Sequence, residues 1–142
     1  MLIDHINIVC SDLDASIAFY EMLGFETVHR DVLEGAWISD IVGLPGVKGE
    51  YAKLLFPDTE TALELMQYYR PAGGKDTDMS KPNQLGLRHM AFRVEDIEVL
   101  VAKLRSKDVT FFSDIQEYKP TNKKLVYFLG PDGEILEFAQ YG

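Results

Sequence analysis

The chain carries two pairs of side chains that are suited to binding a divalent metal ion. His5 and Glu64 form one pair, and His89 and Glu137 form the other. Imidazole nitrogen and carboxylate oxygen suit nickel, cobalt, zinc, manganese and iron, whereas copper(I) and iron–sulfur clusters prefer sulfur ligands. Two histidines and two carboxylates are formally neutral with a divalent ion, and on an octahedral ion they leave positions open for water or substrate. The four residues therefore predict one catalytic divalent metal site.

The two pairs occupy equivalent positions in a duplicated sequence. Adding 84 to the numbers of His5, Asp12, Leu13, Asp14, Ile17 and Ala18 gives His89, Asp96, Ile97, Glu98, Val101 and Ala102, each the same residue or a close relative. Segment 63–68 matches segment 136–141 at an offset of 73, with four of six residues identical. Similarity at fixed offsets indicates repeated structural units, and the smaller second offset places about eleven extra residues in the first copy.

Hydrophobic periodicity predicts the same order of elements, βαβββ, in both copies. In the first copy, segment 2–10 is a predicted strand, Asp12 caps a helix that ends at Gly24, and strands follow near 25–34, 50–57 and 61–68. In the second copy, a strand at 86–94 precedes a helix from Asp96 to about Ser106, and strands follow near 109–114, 123–129 and 134–141. A turn at 131–133 joins the last two strands.

Two segments fall outside this repeated order. Segment 70–84 is polar, contains prolines and glycines, and is longer than most connections, so we expect a linker between module 1–69 and module 85–142 of one domain, 1–142. The extra residues of the first copy, near 35–49, place Trp37 and other apolar residues between glycines. This segment is either a lid over a pocket or a loop that packs its apolar side chains on the core.

Composition excludes several classes of partner. The net charge is −9, so the chain lacks the basic surface that a nucleic acid or an anionic membrane requires. No segment approaches the roughly eighteen apolar residues of a membrane span, and the first residues do not resemble a secretory signal. Cys10 is the only cysteine, which excludes an internal disulfide and favours a reducing compartment. We therefore expect a soluble cytoplasmic protein with a small-molecule substrate.

Both glutamates of the predicted site lie in apolar runs. Glu64 stands between Leu63 and Leu65, and Glu137 is flanked in the same way. A buried carboxylate costs several kcal/mol unless it is paired, protonated or bound to a cation. Lysine and arginine are scarce in the flanking strands, and the equivalent position of the other copy carries another acid. A shared divalent cation would satisfy both carboxylates.

Side-chain alternation places further polar residues beside the two histidines. His5 and Asn7 share one strand face, and His89 and Arg93 share another. A single histidine in such a strand is more often a core residue, but equivalent positions in two copies favour metal binding. His29 has no counterpart and is expected to face solvent. Asn7 and Arg93 are candidate substrate-binding residues, although Arg93 could equally pair with a nearby carboxylate.

Several segments resemble the vicinal oxygen chelate (VOC) superfamily, which includes glyoxalase I and methylmalonyl-CoA epimerase. The opening segments 4–9 (Asp-His-Ile-Asn-Ile-Val), 12–14 (Asp-Leu-Asp) and 19–25 (Phe-Tyr-Glu-Met-Leu-Gly-Phe) are similar to the start of its members. Segment 88–97 (Arg-His-Met-Ala-Phe-Arg-Val-Glu-Asp-Ile) is similar to the corresponding part of methylmalonyl-CoA epimerases. The Gly-Pro-Asp-Gly of 130–133 before Leu136 and Glu137 is a common ending. The resemblance covers nearly the whole chain.

The resemblance implies an α+β fold in which two tandem βαβββ modules form a curled mixed β-sheet cup, the glyoxalase/bleomycin resistance/dihydroxybiphenyl dioxygenase fold. It also implies a homodimer, and metal ligands at His5, Glu64, His89 and Glu137. Bacterial glyoxalase I commonly has this ligand set, whereas epimerases often carry glutamine at the position of Glu64. Val9 and Tyr68 occupy positions where glyoxalase I tends to have an arginine and an asparagine for glutathione.

The reactions of both relatives remove a proton next to a carbonyl group and stabilise an enolate or enediolate. The resemblance therefore implies a lyase or isomerase that acts on a thioester or a hemithioacetal, with the metal as Lewis acid. Glu137 is the first candidate for the general base, and Glu64 is a ligand or second acid/base. Glu50 is a weaker candidate for acid/base work. Lys123 and Lys124 either meet CoA phosphates or are solvated strand ends.

Two other functions are compatible with the same fold. An iron(II) extradiol dioxygenase would use His5, His89 and Glu137 as a facial triad and would have no fourth acidic ligand, so Glu64 argues against it. A non-catalytic binding protein of the bleomycin-resistance kind would generally lack the metal ligands. Retention of all four ligands favours an enzyme.

Overall fold

The computed structural model describes residues 1–142, which divide into two compact units, Met1–Lys75 and Asp76–Gly142. Each unit contains one four-stranded mixed sheet and few helices. The predicted α+β class and the two βαβββ modules are confirmed. No helix of the chain is both long and apolar enough to cross a membrane.

The first unit is built around four strands and two helices. Its elements are β1 (His5–Val9), α1 (Leu13–Met22), β2 (Glu26–Glu34), α2 (Ala36–Val42), β3 (Lys48–Leu55) and β4 (Ala62–Arg70). The strand order in the sheet is β1-β4-β3-β2, with β1 parallel to β4 and the other pairs antiparallel. The first and last strands of the module are therefore neighbours, which brings His5 and Glu64 to the same edge of the sheet.

The second unit repeats this topology. Its elements are β5 (His89–Arg93), α3 (Ile97–Arg105), β6 (Gln116–Tyr118), β7 (Lys123–Leu129) and β8 (Ile135–Tyr141), with a short 3₁₀ turn at Lys119–Thr121. The order is β5-β8-β7-β6, and β5 is parallel to β8. His89 and Glu137 are thus also on neighbouring strands.

Both predicted aspartate caps are present. The Asp12 carboxylate accepts a hydrogen bond from the backbone N–H of Ala15 at 3.0 Å, and Asp96 accepts one from Val99 at 3.0 Å. Each cap satisfies an N–H group at the start of its helix that has no partner within the helix. The same residue therefore starts the helix in both copies.

A glutamine in the last strand of each module holds the same helix end. The side-chain oxygen of Gln67 accepts a hydrogen bond from the Leu13 N–H at 2.8 Å, and that of Gln140 accepts one from the Ile97 N–H at 2.8 Å. Both glutamines belong to the repeated Leu-Glu-x-x-Gln-Tyr segment. The repeat thus preserves a cross-link between strand and helix as well as the two acids.

These glutamines also show which face of each sheet carries the predicted ligands. Since strand residues alternate between faces, Gln67 places Leu63 and Leu65 on the helix side, and Glu64 lies on the opposite side. In β8, Gln140 likewise places Glu137 on the side away from α3. The cores lie under the helices; their fully buried members include Leu13, Tyr20, Leu54, Leu63 and Leu65 in the first unit and Ile97, Leu104, Phe128 and Leu136 in the second.

One predicted strand is wrong. The second strand of the second copy lies at Gln116–Tyr118 instead of 109–114, and the predicted segment forms only an isolated bridge between Phe111 and Phe128. The phenylalanines that produced the strand signal are explained by ring packing, because the rings of Phe111 and Phe128 are 5.5 Å apart. The bounds of two other strands shift by about two residues: β3 begins at Lys48, and β4 ends at Arg70.

The inserted segment of the first copy forms the helix α2 between two glycines with positive φ, Gly35 at 114° and Gly43 at 70°. Only Ile38 of this helix is buried, whereas Trp37 and Ile41 are exposed. The expectation that the apolar residues merely pack on the core is wrong for these two side chains. A lid role for 35–49 stays a prediction.

Removal of either glutamine cap is expected to destabilise the protein. We expect Gln67→Ala and Gln140→Ala each to lower the free energy of unfolding by about 1 kcal/mol, because each leaves a helix N–H without its partner. Denaturant unfolding followed by circular dichroism measures the change. Gln84→Ala, at an exposed position, is the matched control; equal effects of all three substitutions would contradict the cap assignment.

Candidate metal centre

The first histidine–carboxylate pair lies on the face of the first sheet away from α1. The register of β1 and β4 pairs His5 with Ala62 and Asn7 with Glu64. The side chains of His5, Asn7 and Glu64 therefore project from the same face of the sheet. Nε2 of His5 is 3.9 Å from Oε2 of Glu64. The His5 side chain is 43% exposed and that of Glu64 is 26% exposed. Glu64 is therefore only half-buried, less than its apolar flanks predicted.

Both residues of this pair are oriented by a neighbour. Nδ1 of His5 is 2.7 Å from Oδ2 of Asp4, and this hydrogen bond lowers the pKa of Asp4 below its usual value. A carboxylate on one ring nitrogen is the usual partner of a metal-binding histidine, because it directs the other nitrogen to the ion. Asn7 donates a hydrogen bond to Oε1 of Glu64 at 2.8 Å. The structure thus places Asn7, predicted to bind substrate, against one of the predicted ligands.

The second pair is tighter and more deeply buried. Nε2 of His89 is 3.2 Å from Oε2 of Glu137, and the Glu137 side chain is only 4% exposed. The ring of His89 packs at 4.9 Å from that of Tyr127, which lies opposite Glu137 on β7. Burial, and after it the charge of Glu137, raises the pKa of Tyr127. The burial predicted for Glu137 from its apolar flanks agrees with the structure.

Glu137 has a partner that sequence reasoning missed. Nζ of Lys123 lies 2.7 Å from Oε1 of Glu137, and the lysine side chain is 19% exposed. This contact raises the pKa of Lys123 above its usual value, since the carboxylate favours the charged ammonium group. The expectation that Lys123 is a solvated strand end is wrong. Alternation along β7 puts Lys123 on the same face as Tyr127, which indicates the face of the lysine but not its contact with Glu137.

Lys124, the next residue, does behave as an exposed strand end. Its Nζ is 2.5 Å from Oε1 of Glu98 on α3, and this contact raises the pKa of Lys124 while lowering that of Glu98. Both side chains are about half exposed. The two adjacent lysines therefore face opposite sides of the sheet and have unrelated partners.

The guanidinium of Arg93 stacks on an aromatic ring instead of pairing with a carboxylate of the site. Its Cζ lies 4.8 Å from the ring centroid of Tyr141, and Nζ of Lys123 lies 5.7 Å from the same centroid. Arg93 is exposed on the face that carries His89. Two roles were expected for Arg93, pairing with a nearby carboxylate and binding an anionic substrate. The stacked position leaves its guanidinium N–H groups available for the second role.

The donor groups fit a divalent metal ion. Each unit directs an imidazole Nε2 toward a carboxylate oxygen at less than 4 Å. Oε1 of Glu137 is buried, and the ammonium group of Lys123 lies 2.7 Å from it. Neither unit by itself gathers three or more His, Cys, Asp or Glu side chains at one point. Each unit therefore offers half of the predicted ligand set.

Glu50 belongs to an ion-pair network on the other face of its sheet. Its carboxylate accepts hydrogen bonds from Nε of Arg30 and from the hydroxyl group of Tyr69, both at 2.7 Å, and Arg30 also contacts Asp14 at 2.7 Å. These contacts lower the pKa of Glu50 and raise that of Tyr69. Glu50 is thus already fully engaged, and the weak expectation of acid/base work for it finds no support.

Comparisons with known proteins agree on one family. A model described as the Glyoxalase/Bleomycin resistance protein/Dioxygenase superfamily matches residues 2–138. The chain is 32% identical to the uncharacterised protein YaeR of Escherichia coli, with 97% of this chain and 95% of that protein covered. A crystal structure of a glyoxalase family protein from Bacillus cereus shares 28% identity and a TM-score of 0.90 over 97% of this chain and 92% of that chain. A glyoxalase I from Zea mays shares only the fold, with a TM-score of 0.68 at 20% identity over 96% of this chain and 44% of that one.

The Glu50 network is expected to stabilise the protein in a pH-dependent way. The pKa of Glu50 is lower in the folded state than its ordinary value of 4.5, so its contribution is complete above that pH and is lost as the pH falls. We expect Glu50→Gln to be less stable than the wild type at pH 7, with a difference that shrinks in acid. Thermal unfolding at several pH values measures this. Glu26→Gln, at an exposed position of β2, is the control, and a pH-independent difference for Glu50→Gln would contradict the assignment.

Proposed function

The chain belongs to the glyoxalase/bleomycin resistance protein/dioxygenase superfamily, and from that premise we propose that it is a metal-dependent enzyme that abstracts a proton next to a carbonyl group. The proposed ligands are His5, Glu64, His89 and Glu137, contributed to one ion by a single chain or by the two chains of a homodimer. One observation carries the proposal: both copies of the duplicated unit retain a histidine whose Nε2 faces a carboxylate on the neighbouring strand.

The donor chemistry supports a divalent ion of the first transition series. A bound nickel, cobalt, zinc, manganese or iron(II) ion would supply Lewis-acid polarisation of the substrate oxygens and stabilise the negative charge that develops on them. The Asp4 contact leaves Nε2 of His5 free to bind such an ion. Two imidazoles and two carboxylates would leave open positions for the substrate.

Glu137 is the proposed general base, and Glu64 the ligand or second acid/base group. A base must accept a proton from carbon and hold it near the substrate. The ammonium group of Lys123 can compensate the charge of Glu137 when the carboxylate is not bound elsewhere. Glu64 is held by the neutral amide of Asn7. A carboxylate on each side of the reacting carbon suits either epimerisation or a 1,2-proton shift.

The proposed substrate is a thioester or hemithioacetal that carries an anionic group. Arg93 presents its guanidinium on the face that carries His89, where a bidentate contact with a carboxylate or phosphate is possible. Asn7 would act mainly through Glu64. Val9 and Tyr68 share the ligand-bearing face of the first unit and offer no cation, which disfavours recognition of glutathione in the manner of glyoxalase I.

The two rival functions have weaker support. An iron(II) extradiol dioxygenase needs only two histidines and one carboxylate, and it leaves the second acid, Glu64, without a purpose. A non-catalytic binding protein does not need an oriented histidine in each unit, yet the rings of both His5 and His89 face carboxylates.

The first test of the proposal is metal binding. We expect the purified protein, after chelation and reconstitution, to bind about one nickel, cobalt, zinc or manganese ion per set of four ligands. Isothermal titration calorimetry and elemental analysis measure the stoichiometry. Absence of binding to all four metals would exclude the catalytic proposal.

The second test uses the two carboxylates. We expect Glu64→Gln and Glu137→Gln each to reduce activity by about a hundredfold or more, because each removes a charged ligand and an acid/base group. Melting temperatures should change much less than activity. Glu60→Gln, at an exposed loop position, is the control. Full activity in either site variant would remove that residue from the mechanism.

The third test identifies the reaction. Incubation in deuterium oxide with methylmalonyl-CoA, and separately with the hemithioacetal of glutathione and methylglyoxal, is expected to introduce deuterium at the carbon next to the carbonyl group of one of them. Mass spectrometry detects the exchange without assuming a product. Exchange into neither compound, by a protein that binds metal, would exclude both substrates.

A further inference from the structure

The two duplicated pairs differ in what holds the carboxylate. Glu64 accepts a hydrogen bond from the neutral amide of Asn7. The position equivalent to Asn7 in the second unit is Ala91, which lies opposite Glu137 in the sheet. The methyl side chain of Ala91 cannot donate a hydrogen bond to the carboxylate. Glu137 is held instead by the ammonium group of Lys123. One proposed ligand therefore has a neutral partner and the other a charged one.

The first unit could not carry an equivalent lysine. Lys123 lies opposite Tyr141 in the register of β7 and β8, and the corresponding residue opposite Tyr68 in the first unit is Gly49. A Cβ atom at Gly49 would come within 2.9 Å of the backbone oxygen of Gln67, closer than carbon and oxygen normally approach. The difference between the two units is thus fixed by the backbone.

The space along the sheet differs in the same sense. In the second unit the residue between Glu137 and Tyr141 on the ligand face is Ala139, whose methyl group leaves room for the Lys123 side chain to reach along the strand. The equivalent residue in the first unit is Met66, and its methyl carbon lies 3.1 Å from where a Cβ at Gly49 would be. A small residue opens the path in one unit, and a large residue fills it in the other.

Lys123 and a divalent ion would compete for the same carboxylate. Nζ of Lys123 already lies 2.7 Å from Oε1 of Glu137, in a site where that side chain is 4% exposed. An ion on this oxygen would add positive charge beside the ammonium group, and poor screening makes such repulsion strong. The ammonium group of Lys123 has an alternative contact in the Tyr141 ring, which lies near Nζ and stacks with Arg93 on the same face.

We propose that Lys123 is the resting partner of Glu137, and that a divalent ion binds by displacing its ammonium group toward Tyr141 and Arg93. Lys123 then acts as a positioning residue: it keeps the buried carboxylate ordered without metal, weakens metal binding, and stabilises the ionised form of Glu137 after the group has given up a proton. Beside Arg93, the displaced ammonium completes a pair of cations for the anionic group of the substrate. This inference rests on the proposed function.

Amine labelling of the wild-type protein tests the displacement directly. The protein is treated with an amine-acetylating reagent with and without saturating zinc, and the labelled lysines are mapped by mass spectrometry. We expect labelling of Lys123 to rise several-fold with zinc and labelling of Lys124, which pairs with Glu98 on the other face, to stay constant. Unchanged labelling of Lys123 when zinc is bound would overturn the proposal.

Substitution of the lysine gives a second measurement. We expect Lys123→Gln, which removes the charge, to bind zinc or cobalt about tenfold more tightly than the wild type. Lys123→Arg keeps the charge and should retain an affinity close to that of the wild type, and Lys124→Gln is the matched control. In turnover assays, Lys123→Gln should lower kcat and raise KM, with partial rescue by arginine. Equal metal affinities of wild type and Lys123→Gln would contradict the role of Lys123.

The failures of the two proposals are distinguishable. If neither the wild type nor any lysine variant binds metal in calorimetry, the proposed function fails, and this inference fails with it. If the wild type binds metal while the labelling and affinity measurements show no change at Lys123, the metal site stands and only the role of the lysine is excluded. The labelling measurement does not depend on whether a variant folds.

Discussion

The burial of a carboxylate inside a β-strand is the constraint on which the second unit depends. Glu137 is flanked on β8 by residues that are themselves buried, Leu136 and Phe138, and its own side chain is 4% exposed. A charge in that position costs several kcal/mol unless other charges compensate it. The ammonium group of Lys123 supplies a compensating charge, and Nε2 of His89 lies beside the other carboxylate oxygen. Glu137 must therefore be stable in the folded protein when no metal ion is bound, even though it is a proposed metal ligand.

The duplication explains why the ligand-bearing face is so well defined in both units. The glutamines of β4 and β8 tie the last strand of each module to the start of its helix, so the alternate residues of that strand must face the other way. A shift of register by one residue would turn each glutamate into the core and break the helix cap at the same time. The spacing between Glu64 and Gln67, and between Glu137 and Gln140, therefore couples the fold to the site.

Sequence reasoning predicted the features that depend on local patterns. The aspartate caps, the strand that carries each histidine, the order of elements and the burial of Glu137 all follow from periodicity and from residues close together in the chain. Contacts made by reaching along a strand were missed, because a periodic pattern gives a face but not the direction in which a long side chain lies. Lys123 is the clearest case, and Glu50 with Arg30 is another. The strand predicted at 109–114 failed for a related reason: phenylalanines give the same signal whether they pair as a strand or pack as rings.

The departures from symmetry carry more information about mechanism than the symmetry does. Had both units kept identical surroundings, nothing would distinguish the roles of the two acids. Asn7 beside Glu64 has no counterpart, and Lys123 beside Glu137 has none either, since Gly49 and Met66 exclude it from the first unit. A neutral hydrogen bond orients a carboxylate without opposing a bound cation, which suits a permanent ligand. A nearby ammonium group would oppose a bound cation and stabilises the ionised form of Glu137, which would suit a group that gives up the proton it has accepted.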